Sequence, residues 1–223
     1  MVLKDSYGTN DRMHTTAGSV VMGDFIATAD SFRAAKLRAS DAVLIGKANM
    51  DEFSMAGGGY SLRGAQIRNA YAVGHISGSS SGGPAAAVSA NFALVALGVD
   101  TTLQIPAAVN GIVTIRPTFG LVGRTGIIPS SLFSDTPGPM ARTVADAASI
   151  LGVMTGVDPD DDATSLAQNH GYSDYTQFLK AGGLKGAHIG VRRTPSHALL
   201  KRQRDFRGCG CADARQKCGT DRL

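Results

Sequence analysis

A chain of 223 residues is long enough for one sizeable core, since a domain of about 150 residues already buries roughly 70% of its unfolded surface. Its 43% hydrophobic and 18% charged residues are the composition of an ordinary globular protein. The net charge of +4 is no general basic character: residues 192–223 hold nine Lys and Arg against three Asp and Glu, while residues 1–191 carry a net −2.

The longest mostly apolar run, residues 85–97, is interrupted by Ser89 and Asn91. It falls short of the roughly 20 residues that cross a bilayer, so no membrane partner is expected. The first residues, MVLKDSYGTND, have neither the cationic nor the apolar stretch of a secretory signal, and a cytoplasmic location is the expectation. Cys209, Cys211 and Cys218 all fall in the basic tail. Three cysteines are too few for a closed zinc site, so neither a metal, nor a cofactor, nor a disulfide framework is expected.

In chain order, residues 14–24 read as polar loop. Residues 30–40, DSFRAAKLRAS, open on an Asp-Ser cap and continue with good helix formers. They predict a helix with Phe32, Ala35 and Ala39 on one stripe. Residues 42–47, AVLIGK, form a short apolar run that predicts a strand buried on both faces. A helix is predicted from Pro84 to about Asn91, with proline in the first turn and alanines behind it. Residues 93–100 predict a strand leading into a loop, and residues 111–117 another that stops at Pro117.

A further helix opens at Thr143, where Thr143 and Asp146 make a variant capping box. It carries Val144, Ala147, Ala148, Leu151 and Met154, and Gly156 is placed to end it. DPDDD, residues 158–162, lacks calcium-loop spacing and reads as a solvated turn. From Arg192 onward the apolar periodicity vanishes, which predicts a disordered basic tail. Alternating helix and strand predict an α/β fold: a mixed β-sheet core covered by helices.

Chemistry concentrates in GSSSGG, from Gly78 through Ser79, Ser80 and Ser81 to Gly82 and Gly83, which offers hydroxyls on a backbone free to adopt positive φ. Around it stand, in order, Lys4-Asp5 in an apolar context, GKANMDEF, GVDT, PAAVNGIVTIRPT and GPMARTVADAA from Gly138 to Ala148. With these blocks residues 1–191 resemble the amidase signature family, whose members hydrolyse carboxamides through a Ser-Ser-Lys triad. The family pattern Gly-Gly-Ser-Ser-Gly-Gly-x-Ala-Ala-Ala is met with Ser79 in place of one glycine. The glutamyl-tRNA amidotransferase A-subunit branch is included in the resemblance, and no residue selects it over free-standing amidases.

The resemblance implies that Lys4 is the catalytic base and Ser80 the bridging serine, which family members hold in a cis peptide. Ser79, Ser81, Gly82 and Asp100 are the supporting positions. Such a lysine must be neutral to accept the proton relayed through the serine, which requires burial. Lys47, which also closes an apolar strand, is a rival base on residue grounds and second to Lys4 on the family pattern.

The nucleophile's place departs from the family. Members follow Asp-Thr with Gly-Gly-Ser-Ile-Arg-x-Pro-Ala, whereas Asp100-Thr101 here leads directly into TLQIPA, two residues shorter. Counting forward from Ser80 puts Gln104 in the serine's place, and a carboxamide has no hydroxyl to deprotonate. Counting back from Pro106 puts Thr102 there, which keeps a hydroxyl and matches more residue types. Thr101 and Leu103 then flank it where the oxyanion donors belong. Losing two residues shortens the reach by roughly 6–7 Å, and removing one oxyanion donor costs about 10²–10³ in rate.

The reading is therefore an amidase acting on a small-molecule carboxamide, with activity reduced or lost, and the alternative is an inactive amidase-fold remnant or pseudoenzyme. The domain is expected to be partial at both ends, spanning residues 1–191, with residues 192–223 a divergent tail of the kind a shifted reading frame or altered splice produces. Nucleic-acid binding through that tail is a third reading; Phe206 is its sole aromatic, so no stacking motif accompanies the charge. At Ser40-Asp41 the family usually has Ala-Gly, in a position that is often left-handed.

Overall fold

The computed structural model describes residues 1–55, 57–100 and 103–188. Met1–Ala181 form one compact unit. Beyond it, the described residues 182–188 make two turns, with Lys185 N–H on Gly182 O and Ala187 N–H on Leu184 O. The expected domain boundary after Val191, the basic tail and its cysteines lie outside the described residues, as do Thr101 and Thr102.

The elements are β1 (Val2–Lys4), α1 (Phe32–Ala39), β2 (Gly46–Ala48), the short hairpin β3 (Tyr60–Ser61) and β4 (Ala65–Gln66), α2 (Gly82–Ser89), β5 (Val95–Asp100), α3 (Gln104–Val109), β6 (Val113–Thr114), β7 (Thr136–Ala141) and α4 (Val144–Met154). Among the described residues one five-stranded sheet runs β2-β1-β5-β7-β6. β1 lies parallel to β2 and to β5, whereas β7 runs antiparallel to β5 and β6. The fold is thus the mixed sheet with helices that alternating elements predict. No helix among the described residues is long and apolar enough to cross a membrane.

Side chains alternate across the sheet and fill two layers. Val2, Ala96 and Met140 face α2 and α3, joining Ala85, Val88, Leu103 and Ala107. Leu3, Leu97 and Val99 face α1 and α4, joining Ala34, Leu37, Leu151 and Met154. By the same alternation Lys4 follows Val2 onto the α2 side, while Lys47, paired with Leu3, turns to the other. There Lys47 Nζ donates to His14 O and Thr15 Oγ1, away from the serine loop. Close approach of α2 to the sheet depends on Gly83, where a methyl group would collide with the Asn49 carbonyl.

Several expectations are corrected. α1 forms and Ser31 caps it, but its buried face is Arg33, Ala34 and Leu37; Ala35 and Ala39 are exposed. Arg33 goes inside because Met154 O accepts from its Nη1 and Asp158 lies 3.9 Å away. The run at 42–47 becomes a three-residue edge strand starting at Gly46, and Val43 and Ile45 are exposed instead of buried on two faces. The expected strand over 111–117 contracts to β6, and α2 starts at Gly82, two residues before Pro84.

β7 is hidden from sequence reading by Pro137 and Pro139. Both are accommodated because their missing donors point away from β5: Pro139 O accepts Ile115 N–H on the far side, where β6 pairs with only two residues of β7. α3 likewise tolerates Pro106, whose amide belongs to the first turn and has no partner within the helix in any case. DPDDD is not wholly solvated. Asp158 and Asp161 are buried, where Asp158 accepts from Thr125 Oγ1 and Asp161 chelates the Arg124 guanidinium. Asp41 does take the left-handed conformation expected of its position, with φ 59°.

Candidate active site

Lys4 ends β1 on the α2 side and is completely buried. Its Nζ lies 2.5 Å from Ser80 Oγ, 2.6 Å from the Val99 carbonyl oxygen and 2.9 Å from Ser54 Oγ. Three chain segments thus converge on one amine: the serine loop, the end of β5, and the turn after β2. Parallel pairing of β1 with β5 brings the Val99 carbonyl alongside the strand end, and α2, packed over both strands, carries the serine loop to the same place.

Ser80 is buried and sits immediately before the serine that opens α2. No cis peptide bond occurs among the described residues, which corrects the expected cis-serine; Ser80 is instead left-handed, with φ 54°. Its amide donates to Asp51 Oδ2 at 2.8 Å, and the same oxygen accepts from Gly57 and Gly58 N–H at 2.9 and 3.3 Å. A carboxylate oxygen accepting three backbone donors is a strong anchor. It holds Ser80 in a backbone conformation that costs about 1–3 kcal/mol for a residue with a side chain.

Ser81 Oγ donates to the Val99 carbonyl at 3.3 Å, the oxygen that Lys4 also uses. Gly98 faces this crowding, since a Cβ there would meet Leu103 Cδ2 at 2.7 Å and Ser81 Oγ at 2.9 Å. Below, the Tyr7 hydroxyl donates to Gly98 O at 2.9 Å, and burial pushes that phenol well above its ordinary range. Behind the serine loop, Ser77 Oγ reaches Gly82 O and Asn110 Oδ1, while Asn110 Nδ2 donates back to Ser77 O. This buried network ties the C-terminal end of α3 to the serine loop.

Of the residues singled out in the sequence, Lys4 and Ser80 meet directly and Ser81 joins them through Val99 O. Ser79 is half-buried beside them, and Gly82 is the first residue of α2. Asp100 closes β5 opposite Thr136. Leu103 is buried in the α2–α3 layer, and Gln104, first in α3, is exposed. Sequence reasoning does not find Asp51, Ser54 or the Val99 carbonyl. Asp51 belongs to the GKANMDEF block, but its contact with Ser80 spans 29 positions and runs through a backbone amide, so no spacing rule points to it.

A cavity of about 300 Å³ opens next to Val99, lined by Arg124, Gly126, Ile127, Leu132 and Asp135 among others. Its size is at the lower end for small-molecule sites. Asp135 is held at its wall by Ser130 and Ser131 N–H, which donate to Oδ2 at 2.7 and 2.9 Å.

A family model described as Amidase matches residues 1–207, extending beyond Val191, where the sequence blocks end. A probable amidase of Arabidopsis thaliana is 40% identical over 200 residues, covering 86% of this chain and 39% of that protein. The A-subunit of the glutamyl-tRNA(Gln) amidotransferase of Roseiflexus sp. is 40% identical over 193 residues with the same coverage. Among solved structures, native peptide amidase from Stenotrophomonas maltophilia superposes with a TM-score of 0.83 at 41% identity, covering 91% of this chain and 42% of that one. The chain therefore spans about 39% of the length of the curated relatives it matches. On the extent of the family match and this degree of identity, the chain belongs to the amidase family.

Proposed function

We propose that the site is built for hydrolysis of a carboxamide C–N bond by a relay from Lys4 through Ser80 to a hydroxyl nucleophile at Thr102. The observation that carries this reading is the buried 2.5 Å contact between Lys4 Nζ and Ser80 Oγ. Full burial drives an amine toward its neutral form, the form that accepts a proton. Ser80 gives its hydroxyl proton to Lys4 and takes the nucleophile's proton in its place. The nucleophile's oxygen bonds to the amide carbon, and the carbonyl oxygen carries the charge of the tetrahedral intermediate. Lys4 then returns the proton through Ser80 to the departing nitrogen as the C–N bond breaks, and water, activated by the same relay, releases the acyl group. The substrate is a small carboxamide, of a kind with those implied by the relatives named as amidases.

Turnover is reduced or absent in this chain. Only residues 101–103 separate β5 from α3, and the family pattern has two more residues there, with the glycines that carry oxyanion donors. A second reading, a catalytically silent amidase fold, rests on the same short link.

The test is ammonia release from purified protein with a simple aliphatic or aromatic amide. Slow release that Lys4→Ala abolishes supports the hydrolase. Absence of release from the unaltered chain supports the silent reading, and release that survives Lys4→Ala overturns the relay.

A further inference from the structure

Two consecutive residues with side chains, Phe53 and Ser54, occupy the left-handed region, at φ 46° and 62°. Each such position costs about 1–3 kcal/mol and persists only where its surroundings enforce it. Here the turn is closed by Ser54 N–H on Asp51 O at 2.9 Å and Met55 N–H on Glu52 O at 3.0 Å. Its outcome is specific. Ser54, half-buried and 50 positions from Lys4, puts its Oγ 2.9 Å from Nζ.

The proton inventory at Nζ gives this contact a consequence. A neutral lysine has two N–H donors and one lone pair, whereas its charged form has three donors. The Val99 carbonyl can only accept, so it takes one N–H in either state. Ser54 and Ser80 are hydroxyls, and each can either accept an N–H or give its own proton to the lone pair. Among these three contacts, when Ser54 accepts the second N–H the lone pair faces the Ser80 proton, which is the direction a relay requires. When Ser54 donates instead, Ser80 is the acceptor and its proton points away from the amine.

We propose that Ser54 is a positioning residue that sets the direction of the Lys4–Ser80 hydrogen bond by accepting an N–H from Lys4. The inference rests on the relay proposed above only for its effect on rate, because the contact with Lys4 is measurable without any substrate. The same turn serves both partners, since Asp51 fixes the Ser80 amide while Ser54, three residues on, addresses the amine.

The experiment follows the side-chain ¹⁵N resonance of Lys4 through a pH titration of the whole chain, with the signal assigned by its loss in Lys4→Arg. Ser54→Ala removes an acceptor of the charged amine, and the Lys4 midpoint is expected to fall by about one pH unit. Ser54→Gly should produce the same fall on a backbone that prefers positive φ, which separates the hydroxyl from any disturbance of the turn. Ser54→Thr should restore the original midpoint. An unchanged midpoint in both Ser54→Ala and Ser54→Gly overturns the proposal, as does a fall that Ser54→Thr leaves in place.

Ammonia release distinguishes this failure from that of the hydrolase reading. Where the unaltered chain turns over, Ser54→Ala should lower kcat about tenfold at constant KM, although a lower midpoint alone makes more neutral base available and would raise the rate. Where no variant releases ammonia, the hydrolase reading fails and the titration still decides the role of Ser54.

Discussion

Asp51 shows how much of the site is held through backbone contacts. One of its carboxylate oxygens accepts from the amides of Ser80, Gly57 and Gly58, whereas Oδ1 has no hydrogen-bond partner among the described residues. Asp51→Asn can keep an amide oxygen toward the three donors and turn its NH₂ to the unpartnered side, so a mild loss is expected, about 1 kcal/mol. Asp51→Ala strands the buried Ser80 donor, while the Gly57 and Gly58 amides lie in a more exposed turn, so a loss of about 1–3 kcal/mol, larger than that of Asp51→Asn, is expected. Urea unfolding curves of the two variants check this; equal losses would mean that the carboxylate does not hold the loop. The meeting of Lys4 and Ser80 is legible because each belongs to a sequence block that the resemblance singles out. Asp51 and Ser54 are not, because their contribution comes from a turn conformation and from contacts with distant segments.

Elements are legible where one local signal dominates. The Thr143 cap is made as its spacing predicts, with Asp146 N–H donating to Thr143 Oγ1 at 3.1 Å. Gly156, at φ 128°, lies just past the end of α4. β7 is hidden because its prolines argue against a strand, and only the placement of its neighbours shows which donors are dispensable. α1 is found but rotated, since ranking alanines above arginine as inward-facing leaves out a buried guanidinium with partners on α4 and the loop beyond it.

The acidic loop misleads for a related reason, as its charges are used against Arg124. The Arg124 side chain holds the Asp161 carboxyl below its usual range, chiefly by direct hydrogen bonds against the opposing effect of burial. A depressed folded pKa contributes stability that is full above the unfolded value near 3.8 and lost as pH falls through the lower folded value. The melting temperature of the unaltered chain should therefore decline below about pH 4. Arg124→Gln should start lower and decline less over that interval, and parallel profiles for the two proteins would assign the acid loss to other carboxylates.

Across the whole molecule, Arg33 is the group whose burial calls for explanation. It is fully enclosed between α1 and the end of α4, donates to Met154 O and has Asp158 at 3.9 Å. Burial pushes its pKa down to about 10 while Asp158 opposes the fall. Removing one partner of a buried pair strands the other charge, so Asp158→Ala is expected to destabilise by about 3–5 kcal/mol. Arg33→Met strands the Asp158 carboxylate in turn, but that group keeps the Thr125 hydroxyl and amide and the Asp160 N–H as donors, so a smaller loss is expected. Thermal denaturation of both variants decides, and a larger loss from Arg33→Met would show that the guanidinium contributes net stability. The α/β class is readable from alternating elements, whereas the two-sided core is not, because β1, β2 and β6 have only two or three residues, too few for periodicity to register, and prolines mask β7.

β1 has only three residues and a parallel neighbour along each edge, with Val2 opposite both Gly46 and Ala96. Sliding this strand by a single position would swap its two faces, carrying the amine into the greasy layer between α1 and α4 and turning Leu3 toward the hydroxyls. Alignment of the chain's first few residues and placement of the amine are therefore one event, so a misaligned molecule has neither a sound interior nor a lysine against the serine loop.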